Sequence, residues 1–255
     1  MTLSASLPPG YRLAAFETIG STNDEAKRLA ADGAPDGAVV WARAQGQGRG
    51  RQDRTWVSPA GNLYCSILLR PGVKAPALAT LGFVAALAAA EAIEDVAPAA
   101  VATLKWPNDV LIQGRKVAGI LLEAGGNGAW VVVGCGINLT HFPEETPFPA
   151  TSIMAAGGIE VDAKVALEAF CARFDVWYRR WRAEGFEPLR QAWLKRGHPK
   201  GTKLSVRLPT ATLTGAFRDL DGDGTLLLDG DDAALHRVAA GDVYFPSSPS
   251  KGSSS

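Results

Sequence analysis

The 255-residue chain has three cysteines, Cys65, Cys135 and Cys171, an odd count with no CxxC pair. That excludes a disulfide framework and a four-ligand zinc site. Histidine is as scarce: His141, His198 and His236 are dispersed, without the spacing of a zinc-protease helix. Neither charge sign is in excess, with 26 Lys plus Arg against 26 Asp plus Glu. A protein that binds nucleic acid with its whole surface would be basic, so this balance speaks against one. The longest uncharged apolar run, 75–90, is shorter than the roughly 20 residues a bilayer needs and contains Pro76 and Gly82. It reads as a buried helix. Met1 to Tyr11 shows no charged region followed by an apolar run, so no secretory signal is visible. GxxxxGK[ST], GxGxxG and G-x-S-x-G are all missing. What these absences leave is a soluble, cytoplasmic globular protein, 47% hydrophobic and 20% charged. Its length suits one large domain, or an ordinary domain plus a small one.

What is present begins with helix and strand punctuation. Thr22-Asn23-Asp24-Glu25 fits a capping box with Thr22 as N-cap, and Gly33 suits the helix end. Strands are predicted over 37–42, 63–69 and 101–106, the last stopped by Pro107. An Ala-rich helix follows over 77–96. Residues 109–112 and 116–123 read as a hairpin around Gln113-Gly114-Arg115. A continuous apolar strand covers 130–134, and amphipathic helices cover 162–184 and 187–196. After about Gly201 the pattern changes to short β-prone runs at 203–208, 211–217, 225–228 and 234–238. The expected division is a catalytic-sized domain over 1–200, a small β domain over 201–246 and a Ser/Gly/Lys-rich disordered tail over 247–255. Asp219 to Gly224 imitates a calcium loop, but Gly230 stands where the Glu is required, so it reads as a turn.

Three segments carry chemistry. In 46–54, Arg49, Arg51 and Arg54 alternate with Gly48 and Gly50. Glycine permits close backbone approach, and guanidinium binds carboxylate or phosphate bidentately. The segment reads either as an anion site or as a solvated loop of the RNA-contacting kind. Lys105-Trp106-Pro107-Asn108-Asp109 puts an amine, an amide and a carboxylate on one strand-to-turn unit. Lys116 enters an apolar strand, so it either caps that strand in solvent or points into a cleft. Gly134-Cys135-Gly136-Ile137-Asn138 ends a buried strand with two glycines and an amide side chain.

Taken in order, these motifs resemble the biotin protein ligase family. The residues that carry the likeness are Ser21-Thr22-Asn23, Gly48-Arg49-Gly50-Arg51 with Arg54 and Trp56, and Lys105-Trp106-Pro107-Asn108-Asp109. Arg115 to Leu121 and Gly136-Ile137-Asn138 complete the set, which spans about 15–245. The resemblance implies an α+β architecture: a class II synthetase-like catalytic domain with a mixed sheet flanked by helices, plus a small C-terminal SH3-like β-barrel. It implies that biotin is activated by ATP as biotinyl-5′-AMP and passed to a lysine of a biotin carboxyl carrier protein, with Mg²⁺ as companion ion and metal ligands unknown.

Carried over residue by residue, Lys116, Arg49 and Arg51 become the catalytic candidates. Ser21, Thr22, Asn23, Gln45, Gly48, Arg49, Gly50, Arg51, Trp56, Lys116 and Gly119 become the biotin candidates, with Gly119 leaving room for the ligand. Arg51, Arg54, Lys105, Asn108, Asp109, Ile137 and Asn138 become the nucleotide candidates. Gln47 and Asp53 depart from the small residues common in the family, and Asp53 stands to offset the arginine charge. Gly125 to Gly128 suggests a minimal adenylate-covering loop. Only about 15 residues precede the catalytic segment, so a monofunctional ligase is expected, a monomer or homodimer with no DNA or membrane partner. The rival readings are a lipoate–protein ligase and a non-catalytic RNA-binding protein.

The zero net charge is a sum of opposed blocks. Residues 43–54 hold four arginines and one aspartate, a net +3. Residues 173–207 hold ten basic and three acidic residues, a net +7, and 218–242 hold two basic and seven acidic, a net −5. The last two are expected to attract each other across the domain boundary.

Overall fold

A computed structural model describes residues 3–146 and 148–245. The expected tail lies outside the described residues. The chain forms two sheets. The larger contains β1 (Arg12–Ile19), β2 (Ala38–Gln45), β3 (Leu63–Leu69), β4 (Ala102–Lys105), β5 (Asp109–Ile112), β6 (Arg115–Gly125) and β7 (Trp130–Ile137). Their order is β1-β2-β3-β7-β6-β5-β4. Only β1 and β2 run parallel, so the sheet is mixed, as expected. β1 is an edge strand with half-buried residues and no clean alternation, which is why it escapes a reading by period.

One face of this sheet carries α1 (Thr22–Ala31). Its N-cap is Ser21, whose hydroxyl accepts from Asp24 N, and Glu25 turns to Arg28 instead of closing a capping box. The predicted start at Thr22 is therefore one residue late. The other face carries α2 (Ala75–Ala79), α3 (Leu81–Val96), α5 (Ala163–Glu184) and α6 (Glu187–Arg196), while α4 (Ile153–Gly157) follows β7. Nearly every residue of α3 from Leu81 to Ile93 is buried. Its alanines let it pack closely between the sheet and α5, and this is how so apolar a segment is covered.

The smaller sheet contains β8 (Lys203–Arg207), β9 (Thr212–Leu220), β10 (Leu226–Gly230), β11 (Leu235–Val238) and β12 (Asp242–Tyr244), in the order β11-β10-β9-β8-β12. It is antiparallel throughout. The expected SH3-like barrel does not close among the described residues: β11 and β12 are the two edges and do not pair. The aspartate turn is a plain turn, with Gly222 N donating to Asp221, Thr225 N donating to Asp223, and Arg237 neutralising both carboxylates.

The opposed charge blocks meet at two ion pairs, Arg190 with Asp219 and Lys203 with Asp231. The basic helices pair chiefly with the acidic end of α3, through Arg173 to Asp95 at 2.6 Å and Arg196 to Glu94 at 2.7 Å. Within the acidic block Arg218 pairs with Asp229. Arg190 to Asp219 is the ion pair that joins α6 to the second sheet.

Candidate active site

A cavity of about 540 Å³ opens on the α1 face of the large sheet. Its floor is the middle of β3, β6 and β7, and its walls are the start of α1, the arginine loop, residues 143–146 and 148–150, and strand β12. Two glycines make the floor passable. A Cβ on Gly136 would stand 2.7 Å from Trp56 Nε1, and one on Gly119 would stand 2.9 Å from the Trp56 ring and 3.2 Å from Lys116 Cε. Gly119 therefore makes room for Trp56 and Lys116 at the cavity floor.

At one end the side chains are neutral and polar. Thr22 N and Oγ1 both donate to Gln45 Oε1, at 2.8 and 3.1 Å. Gln45 Nε2 donates to Ser58 Oγ at 2.9 Å, and Ser58 Oγ donates to Trp56 O. Ser66 Oγ stands 2.6 Å from Asn23 Oδ1 and 2.8 Å from Thr22 Oγ1, with one proton to give to either. Asn23 Nδ2 donates to Glu123 Oε2 at 2.8 Å. Such a wall can read the donors and acceptors of a small neutral ring while excluding an ion.

At the other end the side chains are cationic. Lys116 reaches the cavity because β6 carries a bulge: Leu111 pairs with Lys116 and Val110 with Ala118, so Val117 is the extra residue. Val117 and Ala118 both face the core, and regular alternation would have turned Lys116 inward instead. The two readings of this lysine, solvated cap or cleft, resolve to the cleft. Its Nζ stands 2.6 Å from Asp109 Oδ1 and 5.2 Å from the Trp56 ring centroid. Asp109 also holds Lys105 at 2.8 Å. Burial would push the Asp109 carboxyl up, but the two ammonium groups outweigh it and hold it below the usual aspartate value. Burial lowers Lys105 below an ordinary lysine, with Asp109 offsetting part of that.

The arginine loop is a small hairpin in which Arg49 bridges Thr55, Gly50 N donates to Arg54 O, and Trp56 N donates to Gly48 O. At its tip Gln52 and Asp53 both have positive φ, 54° and 56°. Asp53 is exposed at that tip and bonds none of the arginines, so the expected offset of their charge does not occur through contact. Arg49 instead pairs with Glu123 and Asp24, and Arg51 Nη1 donates to Asn108 Oδ1 at 3.0 Å.

The second sheet completes this end. Arg51 donates to Gly241 O, Arg54 pairs with Asp242, and Lys105 Nζ donates to Val243 O at 3.2 Å. Burial lowers Arg51, whereas the hydrogen bond to Asp242 raises Arg54.

Most sequence candidates border this one cavity: Ser21, Thr22, Asn23, Gln45, Arg49, Gly50, Arg51, Arg54, Trp56, Lys105, Asn108, Asp109, Lys116, Gly119 and Asn138. Two do not. Ile137 points into the core, and Gly48 is packed against Trp56 O and Ser58 Oγ, where no Cβ fits. Nor do Gly125 to Gly128 border it, whereas Pro143, Glu145, Thr146, Phe148 and Ala150 do. Asn62 secures the base of that segment, its Oδ1 accepting from Leu139, Thr140 and His141 N, each at 3.0 Å. Sequence reading missed Ser58, Asn62, Ser66, Glu123, Phe148, Asp242 and Tyr244. The Ser58, Ser66 and Asn62 side chains act within strands and turns, and Asp242 comes from a strand too short to have a period.

Among the described residues no group of three or more His, Cys, Asp or Glu side chains could hold a metal ion. Of the three carboxylates that line the cavity, Asp109, Glu145 and Asp242, the first and last are spent on lysine and arginine. These residues do not fit a protein-held Mg²⁺.

Comparison with known proteins gives consistent matches. Residues 15–138 match the biotin/lipoate A/B protein ligase family, and residues 205–245 match the biotin protein ligase C terminal domain. A biotin–[acetyl-CoA-carboxylase] ligase of Paracoccus denitrificans is 42% identical over 234 residues, covering 88% of this chain and 97% of that protein. The bifunctional ligase/repressor BirA of Bacillus subtilis is 32% identical over 242 residues, 92% of this chain and 74% of that protein. Among solved structures, the biotin protein ligase of Aquifex aeolicus in complex with biotin and ATP superposes with a TM-score of 0.79 at 28% identity, covering 91% of this chain and 97% of that one.

Proposed function

The chain belongs to the biotin/lipoate A/B protein ligase family, and from that premise we propose how its own residues divide the work. It is a biotin protein ligase: it uses ATP to activate biotin as biotinyl-5′-AMP and transfers the biotinyl group to a biotin carboxyl carrier protein. The observation that carries the residue-level reading is one cavity with a neutral, hydrogen-bonding end and a cationic end. That asymmetry matches a neutral bicyclic ring at one end and a carboxylate plus nucleotide phosphates at the other.

Ser21, Thr22, Asn23 and Gln45 would hold the biotin ring, with Trp56 and the glycine floor closing over its tail. In the first step a biotin carboxylate oxygen attacks the α-phosphorus, and the bond to pyrophosphate breaks. Lys116, aimed at the middle of the cavity by the bulge, would bridge the two reacting anions and lower their repulsion. Arg51 and Arg54 would take phosphate charge, exchanging Gly241 O and Asp242 for it. Asn108 and Asn138 would line the nucleotide side. In the second step the carrier lysine's amine attacks the acyl carbon, the bond to AMP breaks and the amine sheds a proton. Mg²⁺ would arrive on the triphosphate, since the residues present supply no site of their own.

Transfer of biotin to a purified carrier domain with ATP, followed by intact mass, tests the function. Biotin-dependent ATP–pyrophosphate exchange tests the first step alone. Exchange supported by lipoate and not by biotin would overturn the reading.

A further inference from the structure

The polar side chains of the neutral end form a continuous path that begins and ends on the arginine loop. It starts at Trp56 O, runs through Ser58, Gln45, Thr22, Ser66 and Asn23, and reaches Glu123. Glu123 then returns it to the loop through Arg49. Glu123 sits on β6 opposite Val132, on the cavity face of the sheet but beyond the cavity itself. Its carboxylate accepts from Asn23 Nδ2 at 2.8 Å, from Lys27 Nζ at 3.1 Å and from Arg49. Burial would raise its carboxyl, and these three donors hold it below the usual glutamate value instead.

We propose that Glu123 is a positioning residue that couples the biotin-ring end of the cavity to the arginine loop. The inference rests on the ligase reading above. Asn23 can present its amide to a ring only in the rotamer that Glu123 and Ser66 fix between them. The same carboxylate anchors Arg49, which lies directly before Gly50 and Arg51. A ligand that settles Asn23 therefore settles Glu123, and a settled Glu123 pins the loop. Asp24 shares Arg49 at 3.0 Å but is about half exposed and is also paired with Lys27, so it is the weaker anchor.

The test compares Glu123→Ala and Glu123→Gln with the unaltered chain, using trypsin cleavage at Arg49, Arg51 and Arg54 and adenylation kinetics. Biotin alone protects the loop in the unaltered chain and fails to do so in both variants. The KM for biotin rises about tenfold while kcat changes by less than about threefold. Unliganded melting temperatures close to the unaltered value separate positioning from collapse, and the Gln variant serves if the Ala variant does not fold. For loop protection, read at Arg51 and Arg54, combining Glu123→Ala with Arg49→Ala adds nothing to Arg49→Ala alone, because both release the loop through one link. Normal biotin protection in both variants, or losses of protection that multiply in the double variant, would overturn the inference. Absence of biotin-dependent adenylation in the unaltered chain would instead overturn the function on which it rests.

Discussion

Lys116 enters the cavity by way of a bulge, not by strand alternation. Lys116→Ala removes the cation that stands between the proposed carboxylate and α-phosphate positions. Loss of one preorganised charge-stabilising group costs about 10²–10³ in rate. The expected outcome is that drop in single-turnover biotinyl-AMP synthesis with the fold retained, since Lys105 still pairs with Asp109; near-normal synthesis would show that the lysine is not catalytic. His198 gives a prediction of another kind. It is buried beneath Trp106, accepting from Trp106 N, and burial followed by the charge of Lys105 pushes its pKa down to about 4. In the unfolded chain imidazole titrates near 6.5. Between those values the unfolded state binds a proton that the folded state refuses, so stability falls as pH drops from 6.5 towards 4. The full effect is about 3 kcal/mol. Replacing His198 with Gln should flatten the dependence of melting temperature on pH within that window and nowhere else.

The arginine loop shows how a local element carries function at a conformational cost. Gln52 and Asp53 at its tip both adopt the left-handed region, where a side chain costs about 1 kcal/mol or more per residue. Asn-Gly at these two positions matches the geometry of a two-residue hairpin turn. The double substitution should raise trypsin resistance of the unliganded loop several-fold and lower the KM for biotin; unchanged cleavage would mean that the tip does not limit ordering. The elements also show what a sequence discloses. The hairpin at 113–114 was legible, since Gln113 and Gly114 take the positive φ that turn requires. So were α3, β3 and the helices of 162–196, because their periods are long and strongly apolar. β1 and β12 were not: one is an edge strand of indistinct pattern, and the other is three residues long. The site was legible where specific motifs lie contiguous in sequence, as in 48–56 and 105–109. Glu123 and Asp242 were hidden because each is defined by a partner far along the chain, Arg49 and Arg54 respectively.

At the scale of the whole molecule, the second sheet is seated mainly by uncharged contacts. Trp106 Nε1 donates to Gly224 O at 3.0 Å, and Phe83 and Phe186 crowd Gly224, where a Cβ would stand 2.6 Å from Phe83. His198 and Trp193 pack on Phe217. Attraction between charge blocks therefore contributes little, and 0.5 M salt should change the unfolding free energy by less than about 1 kcal/mol. Gly224→Val, which adds bulk at a φ of 83°, should cost more than about 2 kcal/mol. Urea unfolding of both checks this; a strong salt effect with a mild Gly224→Val effect would restore the electrostatic account. The contacts from Arg51, Arg54 and Lys105 to Gly241, Asp242 and Val243 also have a consequence in time. The Arg51–Gly241 contact spans 190 residues. At about 5–20 residues per second, protein synthesis leaves the loop without β12 for about 10–40 s. In the last few seconds of that interval, once α6 has been made, the first sheet offers its cations to any nucleotide. A nascent chain can thus meet ATP before its last strand exists, and β12 must then dock against a site already in use.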